Sequence, residues 1–258
     1  MTFLLVTAGL LVFLSACSGT KEAEVVPETP PETLYNRAAS LLDDSEYEKA
    51  AKQFEEVERQ HPYSEWATRG QLMAAFTHYQ ALDYDNAIIA LDRFIQNHPG
   101  HPDIAYAYYL RALSYYERIP DARRDQSMTR DAQKALNDLI SRFPETTYAR
   151  DAVVKLSLVA DQLAGSEMAV GRYYQLQGVY TAAVKRFQNV VKNFQQTAHA
   201  PEALHRLVEC YLTLGLLDEA KAAGAVLGYN FPSSSWYKAS FALLEEAKLV
   251  SDDAPKGE

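Results

Sequence analysis

Few residues in this chain have the type and spacing to do chemistry. Cys17 stands at the end of the apolar run Phe3–Leu14, after Ser15 and Ala16 and just before Ser18 and Gly19. A core helix or strand has no use for that arrangement, whereas a processing signal has. His98 and His101 are three residues apart, as two metal ligands can be. Pro99 and Gly100 between them mark a turn, and no Cys or acidic ligand accompanies them, which argues against zinc. The carboxylate pairs Asp43/Asp44 and Glu55/Glu56 fall on a turn or on polar helix faces and read as solvated surface. No phosphate loop, Gly-x-Ser-x-Gly elbow or two-Cys metal spacing occurs, so catalytic, cofactor-binding and metal residues are expected to be none. Cys210, in LHRLVECYLTL, reads as a small buried hydrophobe and leaves no disulfide partner for Cys17.

The segment Leu14-Ser15-Ala16-Cys17 resembles the lipobox of bacterial lipoproteins: Leu, two small residues, then Cys. The resemblance implies cleavage before Cys17 and a covalent N-acyl and S-diacylglycerol lipid on that residue, with residues 1–16 as the signal peptide. The apolar run is too short to span a bilayer. Several acyl chains hold a protein on a membrane stably, at about 0.8 kcal/mol per buried CH₂. Ser18, where an Asp favours inner-membrane retention, points to the outer membrane and its periplasmic face. Two features temper the pattern: no Lys or Arg precedes the run, and an ordinary signal peptide with an incidental Cys is the alternative.

The 258 residues carry a net charge of −9, which argues against nucleic acid as a partner. Residues 17–33, acidic and holding three prolines, read as a flexible acylated tether, and residues 251–258 (SDDAPKGE) as a disordered tail.

Between them lies a repeat over residues 34–250. Five segments align without gaps at Tyr47–Pro62, Tyr84–Pro99, Thr129–Pro144, Tyr180–Gln195 and Leu217–Pro232. An alanine column (Ala50, Ala87, Ala132, Ala183, Ala220) is followed four residues on by Phe54, Leu91, Leu136, Phe187 and Gly224. Seven residues on stand Val57, Phe94, Leu139, Val190 and Leu227, and twelve on Pro62, Pro99, Pro144, Gln195 and Pro232. Spacing of 0, 4 and 7 is one face of a helix, and proline stops it. Another helical stretch precedes each segment. The pattern resembles the tetratricopeptide repeat and predicts an all-α, tetratricopeptide-like α-solenoid of five helix pairs in a right-handed superhelix. The intervals between the alanines are 37, 45, 51 and 37 residues, all longer than that repeat's period of about 34. The excess falls in Arg118–Met128 and around Ala164–Ala169. The first of these, rich in Arg and Asp, is a helix start capped by Asp125 or Ser127, a contact loop for a partner, or both.

A solenoid binds along the groove lined by the first helix of each pair. Mapping the repeat onto helix faces puts Tyr35, Arg69, Phe76, Tyr79, Asp103, Tyr106 and Leu110 there as a peptide-binding groove. Aromatics with a few charges suit recognition. Arg69 could hold a terminal carboxylate by a charge-assisted hydrogen bond, and reads equally as a solvated helix charge.

Together, the lipobox, the five long repeats, RFPETTYARDA (Arg142–Ala152) and VGRYYQLQGVYTAAVKRF (Val170–Phe187) resemble the lipoprotein family of the outer-membrane β-barrel assembly (BAM) complex, from Cys17 to about Leu249. That resemblance implies a scaffold with no enzyme activity. The first three repeats would hold C-terminal targeting sequences of unfolded outer-membrane proteins. The last two would dock a BamA-like barrel subunit around Lys185 and Arg186, and accessory BAM lipoproteins would bind along the side. The competing reading is a periplasmic repeat adaptor of the Tol–Pal, cell-division type, which shares the long proline-ended repeat.

Overall fold

A computed structural model describes residues 29–250. The expected signal peptide, the expected acylation site Cys17, most of the expected tether and the expected tail lie outside the described residues. The described residues form eleven helices and no strand: α1 (Pro31–Asp43), α2 (Tyr47–Gln60), α3 (Glu65–Gln80), α4 (Tyr84–Asn97), α5 (Ile104–Tyr116), α6 (Ser127–Arg142), α7 (Thr147–Leu176), α8 (Tyr180–Asn193), α9 (Ala200–Thr213), α10 (Leu217–Asn230) and α11 (Ser235–Glu246). Each helix packs on the next, and first helices also touch across pairs, α1 on α3, α3 on α5 and α5 on α7. This is the tetratricopeptide-like solenoid, five helix pairs closed by α11. None of the described helices is long and apolar enough to cross a membrane. The first helix begins at Pro31, three residues ahead of the start expected for the repeats, because proline suits the first helical turn.

The aligned columns are the core. All five alanines, the four large residues that follow them by four, and the five that follow by seven are fully buried on α2, α4, α6, α8 and α10. Those second helices end alike. His61, His98, Phe143, Phe194 and Phe231 take φ between −129° and −136°, and the chain turns there. A following proline forces its predecessor out of the helical region. Phe194 adopts the same bend before Gln195, so that departure costs the fold nothing visible. Ser64 and Thr146 then cap α3 and α7, their hydroxyls accepting from the N–H groups of Ala67 (3.0 Å) and Ala149 (3.1 Å).

Four of the five turns within pairs share one device. Ser45, Leu82, Gly178 and Gly215 sit at φ between 60° and 73°, and paired backbone bonds of the Schellman type close each helix. Lys248, after α11, has φ 58° and the same two bonds, Lys248 N–H to Glu245 O and Leu249 N–H to Leu244 O. Thus α11 is the first helix of a sixth pair, a half-repeat that composition and spacing had not separated from the fifth.

The two insertions fold onto each other. The excess around Ala164–Ala169 makes no break; it lengthens α7 to 30 residues, about 45 Å at 1.5 Å per residue. Ala152, Val159 and Leu163 of α7 join the core of the third pair, while Ala164 and Met168 join that of the last two. The insertion at 118–128 is a loop laid against the middle of this helix, where Gln162 Nε2 donates to Pro120 O (2.6 Å). Gln126, buried, holds the loop by donating to the carbonyls of Asp121 and Arg124 (both 2.9 Å) and accepting from Thr129 Oγ1 (2.8 Å). Asp125, just ahead of α6, accepts from Ser127 N–H (2.9 Å), while Ser127 is the first helical residue and caps nothing.

Candidate functional site

The layer of first helices carries a row of aromatic side chains from α1 to α7. Tyr35 is half-buried, its ring 5.2 Å from Phe54 and 5.0 Å from Trp66. Arg69, one turn beyond Trp66 and exposed, lies over that indole at 5.4 Å. Burial raises the Tyr35 phenol above its ordinary range and the Arg69 charge pulls it part of the way back, which places the two groups in one field. Phe76 and Tyr79 follow on α3, partly buried against the core of the second pair. Tyr79 meets Tyr84 edge-on at 5.6 Å, and its pKa is raised by burial and then by Glu117 and Tyr84. On α5, the Tyr106 ring lies 5.6 Å from Tyr148 of α7 and Tyr109 stacks on the same ring at 5.1 Å. Burial, with Tyr148 and Tyr79 nearby, pushes Tyr106 up to about 12. The phenols of Tyr35, Tyr79 and Tyr106 therefore stay neutral hydrogen-bond donors at any physiological pH.

One member of the row is anchored. The Tyr109 hydroxyl donates to Asp151 Oδ2 (2.8 Å), and Lys155 Nζ stands 3.1 Å from the same carboxylate. The Tyr109 bond, with Lys155 assisting against a burial penalty, holds Asp151 below the usual carboxylate range.

Five of the seven predicted groove residues fall on this row: Tyr35, Arg69, Phe76, Tyr79 and Tyr106. Leu110 does not. It is 2 % exposed and packs in the core with Leu91 and Phe94, because α5 turns its Ile104–Ala107–Leu110 side inward. Asp103 is exposed at the start of α5, one turn before Tyr106, its N–H donating to His101 Nδ1 (3.1 Å). It belongs to the turn rather than to the aromatic face.

Trp66, Tyr109, Tyr148 and Asp151 were not singled out as groove residues from the sequence. A signal for two of them existed: a capping Ser or Thr followed two residues later by an aromatic, Ser64/Trp66 and Thr146/Tyr148. The motif returns at Ser234/Trp236. Tyr108 packs inward against Phe143 (5.3 Å), with the guanidinium groups of Arg111 and Arg142 over its ring.

The last pairs present a different surface. Arg172 Nη1 of α7 lies 2.9 Å from both oxygens of Glu202 on α9. Arg206 joins Glu202 (3.4 Å) to Glu209 (2.9 Å) and lies over Trp236 of α11 at 5.6 Å. Gln175 donates to Glu209 (2.8 Å), and buried His205 sits between Glu209 (3.4 Å) and Ser240 Oγ (2.8 Å). Burial would raise the Glu209 carboxyl, but the hydrogen bonds of His205, Gln175 and Arg206 bring it down to about 2. Lys185 and Arg186, the predicted docking residues, lie on the second-helix layer; Lys185 is exposed, and Arg186 Nη1 is 3.2 Å from Glu167 Oε2 of α7.

Among the described residues no group of three His, Cys, Asp or Glu side chains is placed to hold a metal. His98 and His101 both pack on Phe94 at 5.2 Å. Cys210 is fully buried, and burial lifts its thiol to about 11, the opposite of an activated nucleophile.

The family model described as outer membrane lipoprotein, YfiO, matches residues 27–227. The outer membrane protein assembly factor BamD of Caulobacter vibrioides is 49% identical over 238 residues, 92% of this chain and 78% of that protein. That of Rickettsia prowazekii is 45% identical over 232 residues, 90% of this chain and 92% of its own length. A solved tetratricopeptide protein of Thermus thermophilus aligns at 18% identity over 86% of this chain and 100% of its own, with a TM-score of 0.39.

Proposed function

The chain belongs to the YfiO family of outer membrane lipoproteins, the family of the assembly factor BamD, and from that premise we propose a non-enzymatic scaffold for inserting β-barrel proteins into the outer membrane. The aromatic row takes the C-terminal targeting segment of an unfolded barrel protein. The last two repeats dock a BamA-like barrel subunit near Lys185 and Arg186, and accessory BAM lipoproteins bind along the side. The lipid on Cys17 holds the chain on the periplasmic face of that membrane. The family match supports an outer-membrane assembly role over a Tol–Pal-type adaptor.

The observation that carries the peptide-binding part is the continuity of the row: Tyr35 with Trp66 and Arg69, then Phe76 and Tyr79, then Tyr106, Tyr109 and Tyr148. Four first helices contribute to it, so an extended strand crosses several rings in turn. Rings give large contact area at low rotamer cost, and the neutral phenols donate to peptide carbonyls. Arg69, exposed at one end, is a partner for the free carboxylate. Binding an extended chain also costs ordering entropy, which keeps affinity modest and release quick, as a handoff requires.

The test uses a fluorescent peptide with an aromatic residue at its free C-terminus. Phe76→Ala with Tyr106→Ala should weaken binding at least about tenfold while circular dichroism keeps its helical signal. Arg69→Ala should weaken the free-acid peptide and leave its C-terminal amide unchanged. Equal affinity for all variants would remove the row from the mechanism.

A further inference from the structure

At the far end of the solenoid a groove of about 430 Å³ opens between α10 and α11, lined by Lys221, Ala222, Gly224 and Ala225 of α10, Tyr237, Phe241 and Leu244 of α11, and Val250. Its place in the repeat says what it is built to hold. In the pairs closed by a Schellman turn, one residue of the first helix meets the residue of the second helix that stands four beyond the alanine column. Ala38 shares a core with Phe54, and Ala75 with Leu91. A Cβ at Gly171 would lie 2.5 Å from the Phe187 ring, and one at Gly224 would lie 3.9 Å from Val208. The partners are complementary in size: a small residue faces a large one, and where the first helix carries Val208 the second carries glycine. Counting back from the αL residue, Phe241 is the α11 member of this series. It is only partly buried, because the described chain leaves the turn at Val250 without a second helix.

We propose that this groove seats an amphipathic helix of a partner protein, which completes the sixth tetratricopeptide pair in trans. The chain's own tail is unsuited to the seat. In the shared register Asp253 falls at the alanine position, where burial of an unpaired carboxylate is costly, and Pro255 follows inside the would-be helix. Gly224 strengthens the case. It lets Leu244 of α11 approach α10 so closely that a Cβ would stand 2.5 Å from the Leu244 Cδ1 atom, so α11 is held as a platform and not as a loose end. Phe241 fixes the chemistry of the incoming face. A helix docking there presents a small residue, Ala, Gly or Ser, opposite the Phe241 ring, with an aliphatic residue one turn further along.

The probe is a fluorescein-labelled peptide of this chain's own α8, Tyr180–Phe194, in two forms: unmodified, and carrying Phe187→Ala. Titrated with the full chain in detergent, the Phe187→Ala peptide should bind at least about tenfold more tightly than the unmodified one. Ala225→Arg, at an exposed position on the groove wall, should abolish that binding without loss of helicity. Phe241→Ala should reverse the preference, so that the peptide with phenylalanine binds better. Absence of saturable binding by either peptide, or a preference indifferent to Phe241→Ala, overturns the proposal. Sedimentation that shows a dimer abolished by Ala225→Arg overturns it also, since the occupant is then a second copy. The barrel-peptide test above uses the other end of the molecule, so each result stands without the other.

Discussion

The first three helix pairs and the last two are built on one repeat yet finish their first-helix layer in opposite ways. In the N-terminal part, as far as the start of α7, the layer ends in rings: Tyr35 tilts against Trp66 and Tyr106 against Tyr148, Tyr79 meets Tyr84 of α4 edge-on, and all of them stay partly exposed. In the C-terminal part it ends in ions that already have partners, Arg172 and Arg206 on Glu202, and Arg206, Gln175 and His205 on Glu209. Half-exposed aromatic surface gains free energy when something covers it. A lattice of paired charges gains nothing from a visitor and loses by being broken. The comparison teaches that repeat register and surface chemistry are separable. The columns that stack the helices are the same in both parts, and the difference in surface chemistry lies in residues outside those columns.

The comparison can be broken, or sharpened, by substitution. The largest expected effect is in the shared core. Phe187→Ala deletes a fully buried ring between α7 and α8 and should cost about 3–5 kcal/mol, read from urea unfolding. A loss below about 1 kcal/mol would mean that the C-terminal pairs contribute little to the cooperative unit. Next comes the ionic lattice. Arg206→Ala leaves the partly buried Glu202 and Glu209 short of a partner and uncovers Trp236, for about 1–2 kcal/mol after allowance for solvent screening. If the unfolding midpoint did not move, the lattice would be decoration.

The same lattice sets a pH dependence. Glu209 is held at about 2 in the fold, below the ordinary value of about 4.3 in an unfolded chain. Its contribution is therefore complete above that value and lost as the pH falls towards 2. Wild-type stability should drop across that acid window, and Glu209→Gln should flatten the drop. At the other end of the scale Tyr106, raised to about 12, contributes stability that is whole below about 10 and lost as the pH rises through its folded value. Tyr106→Phe should remove that alkaline component while acid behaviour stays as it was. In the aromatic part, Tyr109→Phe takes one hydrogen bond from Asp151, which keeps Lys155, and should cost about 0.5–1.5 kcal/mol. The smallest stability effect belongs to Arg69→Ala, within about 0.5 kcal/mol for an exposed side chain, although that variant should be plainly defective for the free-acid peptide. A variant that lost both stability and binding would erase the distinction between a surface made for packing and one left open.

How much of this was legible beforehand depended on whether a residue's role is local. Ala50, Phe54 and Val57, and their counterparts, announce a buried helix face by spacing alone, and the structure buries every one, Gly224 included. His61, His98, Phe143 and Phe231 are turned by the proline that follows each. Leu110 was misplaced because periodicity says that a helix has two faces and does not say which face meets its neighbours. The 30-residue α7 and the half-repeat at α11 were illegible for a related reason. Gly165 near the middle of α7 does not break it, and α11 is recognisable only when the αL residue at Lys248 is set beside Ser45, Leu82, Gly178 and Gly215.

By itself, then, the amino-acid order determined the helical repeat, its core columns and its punctuation, since hydrophobic spacing, small residues and proline act within a turn or two of where they stand. Only the tertiary structure decided which tyrosines form one row, that the two insertions cover each other, and that a groove is left at Phe241. Those outcomes depend on side chains brought together from helices dozens of residues apart, and packing geometry rather than local preference sets what meets there.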